Sequence, residues 1–494
     1  MQYLINIEDQ GQLPNIEAAL KIIDPNAGIV TMGEQQSSTV DLELTVVYTP
    51  DFHIRVLVKG FSGGDGEWEY LDKEIQDPRY NESDRKQRLK ELIRLGIITL
   101  VGKVIGKEPP WGILSGVRPS KIYHYLRGKG FTPAEVREKL LKIYSLTPQK
   151  ADLLLEVGIL QEKYLTNGPQ IGIYIGIPFC PTRCHYCSFA AVSLETHSHL
   201  VNGFLEALER EIKVIRELCA EFGFQVETIY LGGGTPTSLG EEQFSRLLDL
   251  LAANFLTAST IEFNVEAGRP ETLSQGKLLA MVRAGVNRIS VNPQTMKEST
   301  LKEIGRQHRI CDLYRAIEMV QKFPDLALNM DLILGLPGET GTDFLESLQK
   351  VTAFKPENIT VHTLTPKRAA AWRKDFSDLA LTQSQDLVQT METAITILKS
   401  EVYQPYYLYR QRLILADLEN IGFTKPNRES IYNIQMMEER QTILGLGGGA
   451  VTKWVVGSDH RVYRHQNSKC PATYSSRLET EIVKKVQQTR LLLG

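Results

Sequence analysis

From Ile171 onward, short runs of branched apolar residues alternate with longer stretches in which apolar positions recur every three or four residues. The short runs are Ile171–Ile177, Thr228–Leu231, Ile261–Glu266, Arg288–Asn292, Ala327–Leu334 and Ile359–Leu364. Their length and composition predict strands. The stretches Leu200–Phe222, Glu241–Phe255, Glu271–Ala284, Leu313–Lys322, Asp343–Phe354 and Gln383–Val402 predict helices. Six strand–helix units in succession predict a parallel β/α architecture.

The flanks read differently. Before residue 166, Leu42–Tyr48 and His53–Val58 form alternating runs split by Thr49-Pro50-Asp51, which predicts a hairpin. A helical pattern runs from Glu82 to Lys107, and Thr132-Pro133 and Thr147-Pro148 open two more helices. The loop carrying Trp111, Arg118 and Lys121 either covers a site or packs. After residue 402, Thr452–Val456 and His460–Tyr463 predict a closing hairpin, and Ser476–Leu493 a terminal helix. Gly445–Ala450 fits G-x-G-x-x-A in form, but no βαβ unit surrounds it, so it reads as a glycine-rich turn closing against the substrate cavity. The division is an N-terminal α/β accessory region (1–165), a six-unit core (166–402) and a C-terminal α+β lid (403–494).

Composition narrows the function. With 42% hydrophobic and 23% charged residues and a net charge of −3 over 494 residues, nothing favours a nucleic-acid partner. No run of ~18 apolar residues exists for a membrane span, the start is interrupted by acid too early for a signal peptide, and a cytoplasmic protein is expected. Three of the six cysteines, Cys180, Cys184 and Cys187, lie within eight residues, which argues for a ligand loop rather than disulfides. The loop reads as three thiolates on a four-iron cube with one iron left open, or as a zinc knuckle completed by His185.

In parallel β/α folds chemistry collects at the carboxyl ends of the strands. There the chain places the cysteine loop, Gly232-Gly-Gly-Thr-Pro-Thr237, Glu266, Asn292-Pro-Gln294 and Asp331 with Gly335-Leu-Pro-Gly338. Glycines let backbone approach a charged ligand, carboxylates suit ribose hydroxyls or an amine, and a glutamine both donates and accepts.

These motifs resemble the radical S-adenosylmethionine (SAM) superfamily, and within it the oxygen-independent coproporphyrinogen III oxidases (coproporphyrinogen dehydrogenases) and their heme-chaperone relatives. The residues that carry the resemblance are Tyr174-x-x-Ile-Pro-Phe-Cys180, Gly232–Thr237, Asn287-Arg-Ile-Ser-x-x-x-Gln294, Leu301-x-x-Ile-Gly-Arg306-x-His308 and Asp331-Leu-Ile-x-Gly-Leu-Pro337. The N-terminal region and Pro405–Arg410 resemble a Gram-positive-type subgroup.

The resemblance implies a partial (β/α)6 barrel, a [4Fe-4S] cluster on Cys180, Cys184 and Cys187, and Tyr174 and Tyr186 lining it. It implies SAM held by Gly233, Gly234, Thr235, Glu266, Gln294, Arg306 and Asp331. The implied reaction is oxidative decarboxylation of two propionates of coproporphyrinogen III to vinyls, with an external electron donor and acceptor. Four propionates call for cations and flat faces, which makes Lys367, Arg368, Tyr406, Tyr409 and Arg410 substrate candidates.

Three departures stand against a full transfer: Gly176 where the founding oxidases carry His, Phe189 where they carry a fourth cysteine, and Ile431-Tyr432-Asn433 where the chaperones carry a His-Asn-x-x-Tyr-Trp motif. A heme carrier and a radical SAM enzyme for another substrate, such as a nucleoside in RNA, are the rival expectations.

Overall fold

Every one of the six predicted strands forms, and all six lie parallel in one sheet. The computed structural model describes residues 1–31, 40–48, 54–60, 66–70, 76–165, 168–187, 189, 191–365, 384–411 and 414–494. They divide into two units, Met1–Ile159 and Leu160–Gly494.

In the first unit, β1 (Gln2–Ile7), β2 (Gly28–Thr31), β3 (Leu42–Tyr48), β4 (Ile54–Gly60) and β5 (Gly66–Tyr70) make a sheet in the order β2-β1-β3-β4-β5. The predicted pairing of β3 with β4 is antiparallel, Leu42 opposite Gly60; their connecting residues 49–53 lie outside the described residues. The helix Glu82–Ile105 is capped by Asn81. Asn81 Oδ1 accepts the Asp84 N–H at 2.9 Å while Asp84 Oδ2 accepts the Asn81 N–H at 2.8 Å, which satisfies two of the amides a helix start leaves unpaired. It ends at Gly106, whose φ of +66° lets the chain turn back. Trp111 is buried, so the loop that carries it packs.

In the second unit the parallel strands are β6 (Gln170–Ile177), β9 (Gln225–Gly233), β10 (Glu262–Glu266), β11 (Arg288–Ser290), β12 (Ala327–Leu334) and β13 (Asn358–Thr363). Between β6 and β9, β7 (Phe179–Cys180) and β8 (Val192–Ser193) form a short parallel pair that brackets the cysteine loop. The remaining strands, β14 (Gln404–Tyr409), β15 (Asn420–Thr424), β16 (Thr442–Gly447), β17 (Val451–Val456) and β18 (Arg461–Gln466), extend the same sheet. Its order is β14-β15-β13-β12-β11-β10-β9-β6-β16-β17-β18. Residues from 403 onward therefore supply both edges of the barrel sheet.

Alternation along each strand sorts two buried faces of opposite character. Ile173, Ile175, Ile229, Leu231, Phe263, Val265, Ile289, Met330, Leu332, Ile359 and Val361 form the apolar face. Amphipathic helices such as Val201–Glu221 bury Phe204, Leu208, Ile212 and Ile215, each side chain contributing about 1.5–3 kcal/mol. The other face carries Tyr174, Tyr230, Glu262, Asn264, Glu266, Arg288, Asn329, Asp331 and His362, several of them joined by contacts along a strand or between neighbouring strands.

The amino-terminal end of this interior has a floor. Ser430 Oγ and the Ile431 N–H both donate to Glu262, each at 2.8 Å, and Arg288 donates to the carbonyl oxygens of Arg428 and Glu429 at 2.9 and 3.0 Å. The helix Ile431–Glu438 that follows sends Tyr432 against Tyr230, ring centroids 4.2 Å apart. Residues 428–432 thus lie across this end, opposite the end that bears the cysteine loop.

The glycine run 445–450 corrects the sequence reading, because Thr442–Gly447 is a strand parallel to β6 and only the residues beyond it turn. The amides of Gly447, Gly448 and Gly449 donate to Glu211 Oε2, the Gly176 carbonyl and the Ser468 carbonyl at 2.8, 2.9 and 2.9 Å. With a carboxylate on one of these amides and carbonyls on the others, the run does not cradle phosphates. Among the described residues, no helix is long and apolar enough to cross a membrane.

Candidate active site

The cysteine loop is fastened at the carboxyl ends of β9 and β10. Thr235 Oγ1 donates to Cys180 Sγ at 3.4 Å, and Arg269 Nη2 donates to Cys184 Sγ at 3.0 Å and to the Thr182 carbonyl at 2.9 Å. Cys180 and Cys184 are buried and Cys187 is partly exposed. Burial pushes the Cys180 thiol up to about 11, and it raises that of Cys187 as well. Such thiols keep their protons until a bound metal displaces them.

His185 Nδ1 lies 2.9 Å from the Glu303 carbonyl, outside the loop. Among the described residues, no three Cys, His, Asp or Glu side chains converge on a point that one ion could fill. Three thiolates that bind separate irons of a cube do not need such a point.

Beside the loop the glycine run meets its steric reason. A Cβ on Gly234 would stand 2.5 Å from the Phe179 carbonyl oxygen, and Gly233 has a φ of +107°. The Gly234 and Thr235 amides donate to the Ile177 and Phe179 carbonyls at 2.8 and 2.7 Å, which holds the run against the strand that leads into the cysteines.

Glu266 sits under this run. The Tyr230 hydroxyl donates to one of its oxygens at 2.5 Å and the Gly233 N–H to the other at 3.2 Å. Burial, and less strongly the charge of Asp331, push its carboxyl up to about 7 against these two donors. Tyr174 stacks on Tyr230 and on Tyr432 in the middle of the barrel, at 6.0 and 6.2 Å between centroids. Tyr186 lies between the second and third cysteines, close enough to Arg306 and Arg269 to feel both charges.

The far side of the opening is built from β11 to β14. Gln294 is held in the left-handed region at a φ of +67°, where a side chain other than glycine's is strained. Its N–H donates to the Asp331 carbonyl and its own carbonyl accepts from Ile333, both at 2.9 Å. Arg306 is buried and donates to the Pro293 carbonyl at 3.2 Å and to the carbonyls of Asn292 and Gly268. Asp331 accepts from Asn329 Nδ2 at 3.0 Å and faces His362 Nε2 at 3.7 Å. His362 Nδ1 lies 3.2 Å from the Tyr409 hydroxyl. The line Asp331–His362–Tyr409 was not anticipated, because His362 is a single histidine inside a strand and nothing local marks it.

The substrate candidates separate. Tyr409 belongs to that line. Tyr406 has no exposed surface; its ring packs with Tyr407 and Ile434, and its hydroxyl accepts from Asn433 Nδ2 at 3.1 Å, so it offers no face to a ligand. A register shift between Pro405 and Tyr407 accompanies this inward turn. Arg410 is buried and ion-paired with Asp417, so its guanidinium is already engaged. Lys367 and Arg368 lie outside the described residues. Instead, a cavity of about 460 Å³ beside the cysteine loop gathers Arg183, Lys302, Arg306 and Arg309, with His308 in its wall.

The donor set fits a cluster and SAM. Three thiols share one loop, and the amide oxygens of Asn264 and Asn292 are buried without hydrogen-bond partners, which leaves acceptors for an ammonium or a hydroxyl.

A fold of this kind with a cysteine loop at its carboxyl end defines a class, and the Radical SAM superfamily model matches residues 174–351. The chain is 36% identical over 418 residues, 83% of each chain, to the oxygen-independent coproporphyrinogen-III oxidase-like protein HemZ of Bacillus subtilis (strain 168), and it belongs to that radical SAM family. It is also 31% identical over 280 residues, 56% of this chain and 69% of the other, to the heme chaperone HemW of the same organism. Among solved structures it is similar to the coproporphyrinogen III oxidase HemN of Escherichia coli, with a TM-score of 0.51, 22% identity and coverage of 66% of this chain and 73% of the other. The last likeness shows the fold: an α/β radical SAM barrel. Membership implies an iron–sulfur cluster and SAM as cofactors.

Proposed function

We propose that this chain is a cytoplasmic enzyme that converts two propionates of coproporphyrinogen III to vinyls without oxygen. The observation that carries the reading is the 36% identity with the oxidase-like HemZ across 83% of both chains. Cys180, Cys184 and Cys187 would hold a [4Fe-4S] cluster; Gly233, Gly234, Thr235, Glu266, Gln294, Arg306 and Asp331 would hold SAM. When bound, the pair supplies an agent able to remove a hydrogen atom from an unactivated carbon.

Each propionate then gives up one hydrogen atom, carbon dioxide and one electron to become a vinyl, and the electron requires an external acceptor. The protein's part is placement. Glu266 anchors one wall through Tyr230 and Gly233, and the Asp331–His362–Tyr409 line presents polar groups on the other. The residues laid across the amino-terminal end would shield the substrate from water on that side.

The test is anaerobic: reconstituted protein, coproporphyrinogen III, SAM, a strong reductant and an electron acceptor, with vinyl product followed by chromatography. Product that vanishes in Cys184→Ala supports the proposal. SAM cleavage without product overturns it and favours the second reading, a heme carrier, which the similarity to HemW supports.

A further inference from the structure

We propose that Arg269 sets the reduction potential of the cluster held by Cys180, Cys184 and Cys187, through its hydrogen bond to Cys184. The inference rests on the cofactor reading above. None of the motifs that reveal the family contains Arg269, which lies three residues past Glu266 and crosses from the end of β10 to the cysteine loop. Its Nη2 donates to Cys184 Sγ at 3.0 Å, and the side chain is 3% exposed.

The guanidinium charge is weakly compensated. Its ion-pair partner, Glu271, stands 3.8 Å from Nη1, beyond hydrogen-bond distance, and that carboxylate is itself partly exposed. Arg306, the second buried guanidinium near Cys184, donates to the carbonyls of Asn292, Pro293 and Gly268, and it shares the charge of the same Glu271 with Arg269. Cys184 therefore lies in a buried, net-cationic setting.

Reduction adds one negative charge to the cluster. A buried cation that donates N–H to a ligating sulfur stabilises that charge more in the reduced state than in the oxidised one. Loss of the cation makes the cluster harder to reduce. Arg269 also fastens the loop through Thr182, so activity alone would not separate the two roles. Arg269→Gln keeps a donor and removes the charge, and Arg269→Lys keeps the charge and removes the planar fork.

The experiment poises reconstituted wild type, Arg269→Gln and Arg269→Lys at fixed potentials and reads the reduced cluster by electron paramagnetic resonance, with iron and sulfide assayed on each sample. Arg269→Gln should lower the reduced-to-oxidised ratio about tenfold at a given poise, a shift of about 59 mV for one electron. Arg269→Lys should change it less than about threefold. An unchanged ratio in Arg269→Gln with its cluster retained overturns the inference.

A second measurement needs no variant at Arg269. Protein labelled with ¹⁵N-arginine should show nitrogen coupling to the reduced cluster in pulsed spectra, retained in Arg306→Lys and in Arg183→Lys, which remove the two other guanidiniums near the cysteines. Absence of that coupling overturns the inference even if both Arg269 variants lose the cluster. A wild-type chain that assembles no four-iron cluster defeats the cofactor reading first, and is told apart by the iron assay.

Discussion

The Tyr230 hydroxyl donates to Glu266 Oε1 at 2.5 Å across the inner faces of two neighbouring strands, beneath the glycine run. The bond holds a carboxyl that burial pushes up from 4.5 to about 7. A folded state that raises an acid's pKa binds its proton more tightly than the unfolded chain does. Glu266 therefore stabilises the fold fully below pH 4.5, and this contribution is lost as pH rises through about 7, a swing of about 3 kcal/mol. Glu266→Gln should flatten the pH dependence of the unfolding midpoint across that window in the cofactor-free protein. An unchanged slope would place the titrating group elsewhere.

Lys485 and Glu211 form a fully buried pair, Nζ to Oε1 at 2.5 Å. Burial raises the carboxyl, but Lys485, the Tyr474 hydroxyl at 2.6 Å and the Gly447 N–H at 2.8 Å outweigh it and leave its pKa lowered. Lys485→Met removes the counter-charge while leaving a buried carboxylate, and should cost about 3–5 kcal/mol in denaturant unfolding. The double variant with Glu211→Leu should recover much of that loss.

Gly176 sits against the glycine turn: a Cβ there would stand 2.7 Å from the Gly448 carbonyl oxygen, which is backbone and cannot swing aside. The histidine that founding oxidases carry at this position has no room here. Gly176→Ala should lower stability by about 1–3 kcal/mol, and Gly176→His by more, as measured by thermal unfolding. An unaffected midpoint in Gly176→His would mean that the turn moves freely.

Tyr409→Phe removes the hydroxyl that meets His362 Nδ1 at 3.2 Å. We expect product formation to fall about five- to tenfold, the worth of one hydrogen bond of about 1–1.5 kcal/mol, with cluster content unchanged. Arg410→Ala should behave otherwise. Because Arg410 is paired with Asp417, its loss should lower stability and depress SAM cleavage and product formation alike.

The sequence showed the six parallel strands, because each is a short apolar run between helical periods, and the cysteine loop, because its spacing is local. Glu266 and the glycine run were legible for the same reason, since they stand where β10 and β9 end; Asp331, expected at a strand end, lies within β12. What escaped was long-range. Glu262 meets Ser430 across 168 residues and Glu211 meets Lys485 across 274, and in the sequence each of these charges looks like an ordinary helix or strand residue. Tyr406 and Tyr409 looked alike as members of one tyrosine cluster. The structure separates them: Tyr406 packs against Tyr407 and Ile434, while the Tyr409 hydroxyl meets His362, a strand residue far away in the chain. The strand Gln2–Ile7 and the helix Leu13–Ile23 were also missed.

Both margins of the barrel sheet come from residues beyond 403: β14 and β15 beside β13, and β16 to β18 beside β6. On the ribosome the six parallel strands emerge first, with unpaired backbone on two sides. At about 5–20 residues per second, the 442–466 segment follows Thr363 by roughly 5–20 s. During that interval the nascent chain presents two open templates for strand addition by neighbouring chains. A fragment ending near Ser400 would keep both templates permanently, so the catalytic barrel should not be obtainable as a soluble excised piece.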